Sequence, residues 1–351
     1  ITFIVLIMCE DTMKLIQRLL VAPAALGLMS PVAVNADHAF KSTTTLSGSA
    51  VFTTGSVDGG LSPSSGQKKD NLYNQYAYSI ESNTSFTGED SLYIGAEAGN
   101  ASGPMSPMDS AVSGGNDINV HSAFYTFPIG SFSVTAGPLV DQDDVVGATL
   151  SPYSDSFYLG ALPYSLAGGE TGPGVGITYS NDFGFVASAS FVADDGDSSS
   201  KGINTDTGND VTTFTIGYNG DGFGGGLIVA SNDGDVGTVG YDTFGAGIYY
   251  SPDSFDATFS VAYDTKDPET GNDEADLFIG VDYLVGPGTL SAAWNTTEVD
   301  GGSDNLDVSG FEVSYSYAIN DGVTVTPGIF TIDDGEGEED TGVVLETAFS
   351  F

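Results

Sequence analysis

Between Leu139 and Pro173 the chain places Asp141, Asp143, Asp144, Asp155 and Glu170 among the aromatic side chains of Tyr153, Phe157, Tyr158 and Tyr164. Carboxylates gathered on one connection create a field that favours cations over anions. Two carboxylates at a suitable separation also hydrolyse glycosidic bonds, but 48 acidic residues supply such pairs by abundance alone. Other catalytic chemistry has little to work with. His38 and His121 are the only histidines, so a multi-histidine metal centre or a Ser-His-Asp arrangement has to be built around His121, which reads as a strand side chain. Gly224-Gly225-Gly226 leads into a strand rather than a helix and is therefore no phosphate cradle. Asp194, Asp195 and Asp197, like the acids from Asp333 to Asp340, offer the hard oxygens that Ca²⁺ or Mg²⁺ prefers, yet they lack a calcium-loop spacing. They read as solvated charge, and neither a metal nor any other cofactor is expected.

Forty-eight acidic residues against seven basic ones give a net charge of -41, which argues against a phosphate-neutralising surface and so against a nucleic-acid partner. With 40% hydrophobic residues and only 16% charged, the chain nevertheless has enough apolar surface to fold. Glycine, 48 of 351 residues, points to many turns and to backbone packed closely against its neighbours.

Residues 1–12 read as sequence upstream of the true start. Residues 13–36 read as a secretory signal peptide, with Lys14 and Arg18, an apolar run from Leu19 to Met29, and Val34-Asn35-Ala36 before the cut. That run is too short for a membrane helix, which needs about 20 residues. Cys9 falls outside the expected mature chain, so neither a disulfide nor a thiolate site is expected.

From Phe40 onward the apolar residues recur at every second position, the signature of strands with two different faces. Phe255, Ala257, Phe259, Val261 and Tyr263 alternate with Asp256, Thr258, Ser260, Ala262 and Asp264; Phe311, Val313 and Tyr315 alternate with Glu312 and Ser314. Sixteen such segments occur, joined alternately by tight turns such as Gly130-Ser131 and Gly286-Pro287 and by longer connections. The pattern predicts an all-β fold: an antiparallel up-and-down transmembrane β-barrel of about 16 strands over residues 37–351, its long connections outside and its lumen polar. Glu81, Glu97, Asp256, Asp264, Asp282, Glu312 and Glu346 then face the lumen. Trp294, Tyr249, Tyr250 and Tyr283 read as an aromatic belt at the membrane interface. The connection from Leu139 to Pro173 reads as a loop folded into the lumen, its five acids forming a pore constriction; an ordinary external loop is the alternative. The final segment carries Val343, Leu345, Thr347, Phe349 and Phe351 on one face, and Leu345, Phe349 and Phe351 look like the assembly signal of bacterial outer-membrane barrels. A secreted acidic β-sandwich or surface adhesin bridged by divalent cations is the competing reading.

The segment Met13-Lys14-Leu15-Ile16-Gln17, its continuation to Leu28, Phe40 to Gly48, Thr126 to Gly130, and Ala136 to Asp144 resemble stretches of marine cyanobacterial porins, relatives of the carbohydrate-selective porin family. The likeness runs through most of the mature chain. It implies passive passage of small hydrophilic solutes and ions, with carbohydrate or inorganic-ion and iron uptake as the functions attached to such porins. It also implies a homotrimer in the outer membrane, with lipid and the barrel assembly machinery as partners. Such porins usually carry a peptidoglycan-holding surface-layer-homology domain and a helical linker before the barrel; here the leader runs almost directly into the first strand. Joined to the acidic composition, the resemblance predicts a non-enzymatic, cation-preferring channel.

Overall fold

The structure, a computed structural model, describes residues 41–58, 71–153, 170–205, 208–234, 239–300, 308–333 and 339–351. The leader and Asp155 lie outside these residues. Sixteen strands follow one another: β1 (Thr43–Asp58), β2 (Tyr73–Ser85), β3 (Ser91–Gly99), β4 (Gly115–Ile129), β5 (Phe132–Asp141), β6 (Thr171–Ser180), β7 (Phe185–Ala193) and β8 (Asp210–Tyr218). The second half continues with β9 (Phe223–Asn232), β10 (Tyr241–Tyr250), β11 (Ala257–Pro268), β12 (Asp273–Val285), β13 (Gly288–Asp300), β14 (Val308–Asn320), β15 (Val323–Asp333) and β16 (Glu339–Ser350). Each pairs antiparallel with its neighbours in sequence. Pairing of β1 with β16, from Ser49 opposite Ser350 to Asp58 opposite Thr341, closes the barrel. A sandwich, which would leave edges, is excluded by that closure.

The two faces have exchanged the solvents that a soluble protein would give them. Ile248 is 65% exposed and Val343 61%, with Ile80, Ile94, Ile279, Phe311 and Ile329 likewise outward, where lipid is their solvent. Thr53, Ser188, Thr213, Thr243, Ser260, Asp264, Ser291 and Glu346 alternate with the outward set and are buried inside. No described helix is long and apolar enough to cross a membrane. Strands are the spanning elements, because closure satisfies every ladder hydrogen bond without water. Two tight turns, at Gly130 and Gly286, need the left-handed backbone that glycine adopts without strain, with φ of 62° and 61°.

Three sequence expectations shift. β11 begins at Ala257, so Asp256 lies in the preceding turn, exposed, and not on a strand. Tyr249 faces inward, its hydroxyl donating to the Gly220 carbonyl at 2.8 Å, while Tyr250 faces out; adjacent strand residues cannot share a belt. The connection between β11 and β12, expected among the long ones, is short, 269–272, since the two strands pair out to Lys266 opposite Glu274 and β11 runs on to Pro268, opposite Tyr241 of β10.

Outward position 279 is central in β12. Ile279→Arg is expected to cost about 2–4 kcal/mol in equilibrium urea unfolding from lipid vesicles, the penalty for a charge at mid-membrane on a barrel's lipid face.

Candidate functional site

Beyond Asp141, which ends β5, the chain turns inward through a short 3₁₀ turn, Asp143–Val145, and follows the inner wall. Val145 lies over Gly176 of β6, where any Cβ would collide with it. The Gly147 amide donates to Ser188 Oγ at 3.2 Å. Asn219, in the turn between β8 and β9, accepts from the Thr149 amide at 2.8 Å and donates to the Gly147 carbonyl at 3.3 Å. Ala148 and Leu150 occupy room left by Gly217 and Gly226, where a Cβ would meet them at 2.7 and 2.9 Å. At Gly247 of β10 a Cβ would strike the backbone of Leu150. Tyr153 then packs on Phe278, with ring centroids 5.1 Å apart, over Gly280 of β12. Its hydroxyl donates to Glu312 Oε1 of β14 at 2.7 Å.

Burying a valine or leucine side chain contributes about 1.5–3 kcal/mol, against about 0.5–1.5 kcal/mol net for a hydrogen bond. The apolar contacts of Val145, Ala148 and Leu150 therefore hold this segment to the wall, and the polar contacts set its register. Burial, reinforced by the Glu312 carboxylate, raises the Tyr153 phenol well above its usual range and keeps it a hydrogen-bond donor.

At the head of this segment the acids converge. The Asp141 amide donates to Asp144 Oδ2 at 2.8 Å, the Asp143 amide to Asp141 Oδ1 at 3.2 Å, and Thr171 Oγ1 to Asp141 Oδ2 at 2.6 Å. The Gln142 amide donates to the Glu170 carbonyl at 3.0 Å, drawing the two ends of the connection together. Asn232 donates to Glu170 Oε1 at 3.3 Å. Burial, and next the charge of Asp141, pushes Asp143 up to about 7. Burial likewise raises Asp144, against the lowering hydrogen bond from the Asp141 amide, and raises Glu170, assisted by Asp194. Four of the five acids expected at a constriction thus stand together; the fifth, Asp155, is outside the described residues.

The remaining expected lumen residues share the inward face. Glu81 accepts from Ser47 Oγ at 3.5 Å, Glu97 stands opposite Asn119, and Asp282 accepts from Ser291 Oγ at 2.5 Å. Asp264 stands opposite Asp276, Glu312 is wholly buried, and Glu346 accepts from Ser110. Asp256 continues their parity from its turn, beside Asp282 in a cavity of about 460 Å³. Among the described residues, no three His, Cys, Asp or Glu side chains stand close enough together to hold a metal ion.

The model of the Gram-negative porin family matches residues 22–335. The chain belongs to that family. No curated protein matches it. Among solved structures, OprB of Pseudomonas putida in its high-pH form is similar at a TM-score of 0.64 and 10% identity, over 88% of this chain and 94% of that one. OmpT of Vibrio cholerae, folded in vitro, in its trimer form, reaches 0.63 and 14% over 89% and 100%. An anion-selective porin from Comamonas acidovorans reaches 0.58 and 12% over 89% and 100%. The porin is an outer-membrane channel for passive diffusion.

Sequence reasoning missed several of the porin's inward groups. Asp276 and Glu274 lie on the same face of β12 as Asp282, and the alternation that located Asp282 also marks them. The row of wall glycines was readable as inward positions without side chains, once strand faces were assigned. Folding of 100–114 into the barrel left no periodic signal at all.

Gly247→Val is expected to lift the segment around Leu150 from the wall, since backbone there cannot move aside. Limited proteolysis should then cut within 142–153 while the barrel keeps its heat-modifiable mobility in gels; the parent protein should resist.

Proposed function

We propose that this porin prefers cations and passes small hydrophilic solutes through a lumen constricted by Asp141, Asp143, Asp144, Asp155 and Glu170. The observation that carries the reading is the clustering of four of these acids at the point where the chain enters the barrel, in a wall where β11 is the only strand with a Lys or Arg. That residue, Lys266, lies 4.3 Å over the Tyr241 ring and opposite Glu274. A fold shared with an anion-selective porin leaves the sign of selectivity to the side chains. Here those side chains are carboxylates: Glu81, Glu97, Asp264, Asp282, Glu312 and Glu346 extend the negative wall, with Asp256 at its end. Rings of carboxylates favour cation entry, and the net charge of -41 concentrates cations at the mouth.

Uptake of a carbohydrate or of inorganic ions including iron is the solute class suggested by the resemblance to cyanobacterial and carbohydrate-selective porins. Tyr93 and Phe124, stacked at 5.2 Å on the inner wall of β3 and β4, offer a ring face that suits a sugar. A homotrimer is the proposed assembly, as for the trimer form of OmpT. Leu345, Phe349 and Phe351, outward along the closing strand, suit recognition by the barrel assembly machinery after export by the leader; Phe349 there packs on Phe52 with centroids 5.2 Å apart.

Planar-bilayer recordings under a salt gradient test the charge reading. Replacing Asp141, Asp143 and Asp144 together with Asn should lower the cation-to-anion permeability ratio several-fold, and an unchanged reversal potential would remove these residues from the filter.

The raised Asp143 adds a pH dependence. This carboxyl is neutral below its titration point near 7 and charged above it, so cation preference should rise between about pH 6 and 8. In Asp143→Asn that step should vanish while the rest of the profile stays.

A further inference from the structure

The connection between β3 and β4 also enters the barrel, on the side opposite the acidic loop. Its 3₁₀ turn, Gly103–Met105, brings Met105 and Met108, both essentially unexposed, onto Val57 of β1, Phe330 of β15 and Val344 of β16. Gly55 leaves the room; a Cβ there would lie 2.6 Å from Met105 Sδ. Three polar contacts fix the register. The Met105 amide donates to the Tyr73 hydroxyl at 2.7 Å, Gln75 Nε2 donates to the Met105 carbonyl at 2.9 Å, and Ser110 Oγ donates to the Glu346 carboxylate. An Ala101 amide to Val112 carbonyl bond of 3.0 Å draws the ends of the segment together.

This segment and the acidic one share a wall residue. Ile332 of β15 packs against the Met105 cluster and also against the cluster of Tyr153, Ala262, Phe278 and Ala293. Between them the two segments line inner wall from β5, where Val140 packs with Val145, round to the end of β3, where Gly99 lies against Val112; on the stretch between, Tyr93 and Glu97 of β3 stay partly exposed. Ser106, Pro107 and Asp109, on the side of the segment away from the two methionines, are exposed.

Resting on the channel reading above, we propose that 100–114 is a second restricting element, which shares the wall residue Ile332 with the acidic loop and confines passage to the β3–β4 side, past Tyr93, Glu97 and Phe124. The two elements divide the work by their chemistry. The acidic loop brings a cluster of carboxylates and sets the sign of the charge that passes. The 100–114 segment is anchored by thioether and aliphatic contacts and carries one acid, Asp109, so it sets width.

The test is single-channel recording of the full chain with two kinds of variant. Met105→Asn with Met108→Asn places uncharged amides without apolar contact among Val57, Phe330 and Val344, which should release the segment. Conductance should rise about 1.5-fold or more, because a wider passage carries more ions, with the reversal potential under a salt gradient unchanged. Equal conductance in a variant that retains heat-modifiable mobility would overturn the proposal. Should that double variant fail to fold, Ser106→Cys in a Cys9→Ser background changes only an exposed side chain. Complete labelling with a bulky neutral maleimide should lower conductance by about a third or more, by narrowing the passage; labelling without effect would place Ser106 outside it and overturn the proposal. Failure of the channel reading itself looks different, since the unsubstituted protein would then not conduct at all.

Discussion

Closure of the sheet is the interaction on which everything else in this molecule depends. In hydrocarbon an unpaired N–H or C=O has no water to turn to, at a cost of several kcal/mol each, so β1 must find β16. Once the ring is closed, every strand separates lipid from an interior of its own choosing. That separation lets a chain with 48 acidic residues keep Asp264, Asp276, Asp282, Glu312 and Glu346 on one side of a wall whose other side carries Ile279, Trp294, Phe311 and Leu345. The lumen owes its character to residues that a two-layer fold would have turned toward bulk water.

A second constraint acts inside the ring. A wall of large side chains would leave no space for segments to lie against it, and the barrel solves this with absence: Gly176, Gly217, Gly226, Gly247 and Gly280 form a path on which Val145, Ala148, Leu150 and Tyr153 rest. On the other side Gly55 receives Met105 in the same way. Polar groups follow the same economy. Glu312 and Glu346, buried in the wall, each accept a hydroxyl from an inward segment, Tyr153 in one case and Ser110 in the other. Acids that a sequence suggests as pore lining can thus serve as anchors for the elements that narrow it.

Period-two alternation made the strands legible because lipid and lumen are such different solvents. Tyr241–Tyr250 is bounded in the structure as its alternation implies, and the faces of Phe311 and Glu312 follow directly. Alternation does not say where pairing stops, which is why Asp256 falls in a turn and why β11 and β12 run on to leave a short connection. The acidic connection was legible from its length and composition. The 100–114 segment was not, because its anchors Met105 and Met108 sit in a run of Ser, Pro and Gly without period, and their partners Val57, Phe330 and Val344 are remote in sequence. Only the closed ring brings those partners together.

Asn219 gives the acidic loop an unusual support. The loop leaves β5 at the rim of long connections, yet Asn219 holds Thr149 and Gly147 from a turn at the opposite rim. The element that narrows the barrel is therefore slung between both ends of the molecule, like a cable fixed at two decks, so that displacement of either rim is shared with the aperture between them.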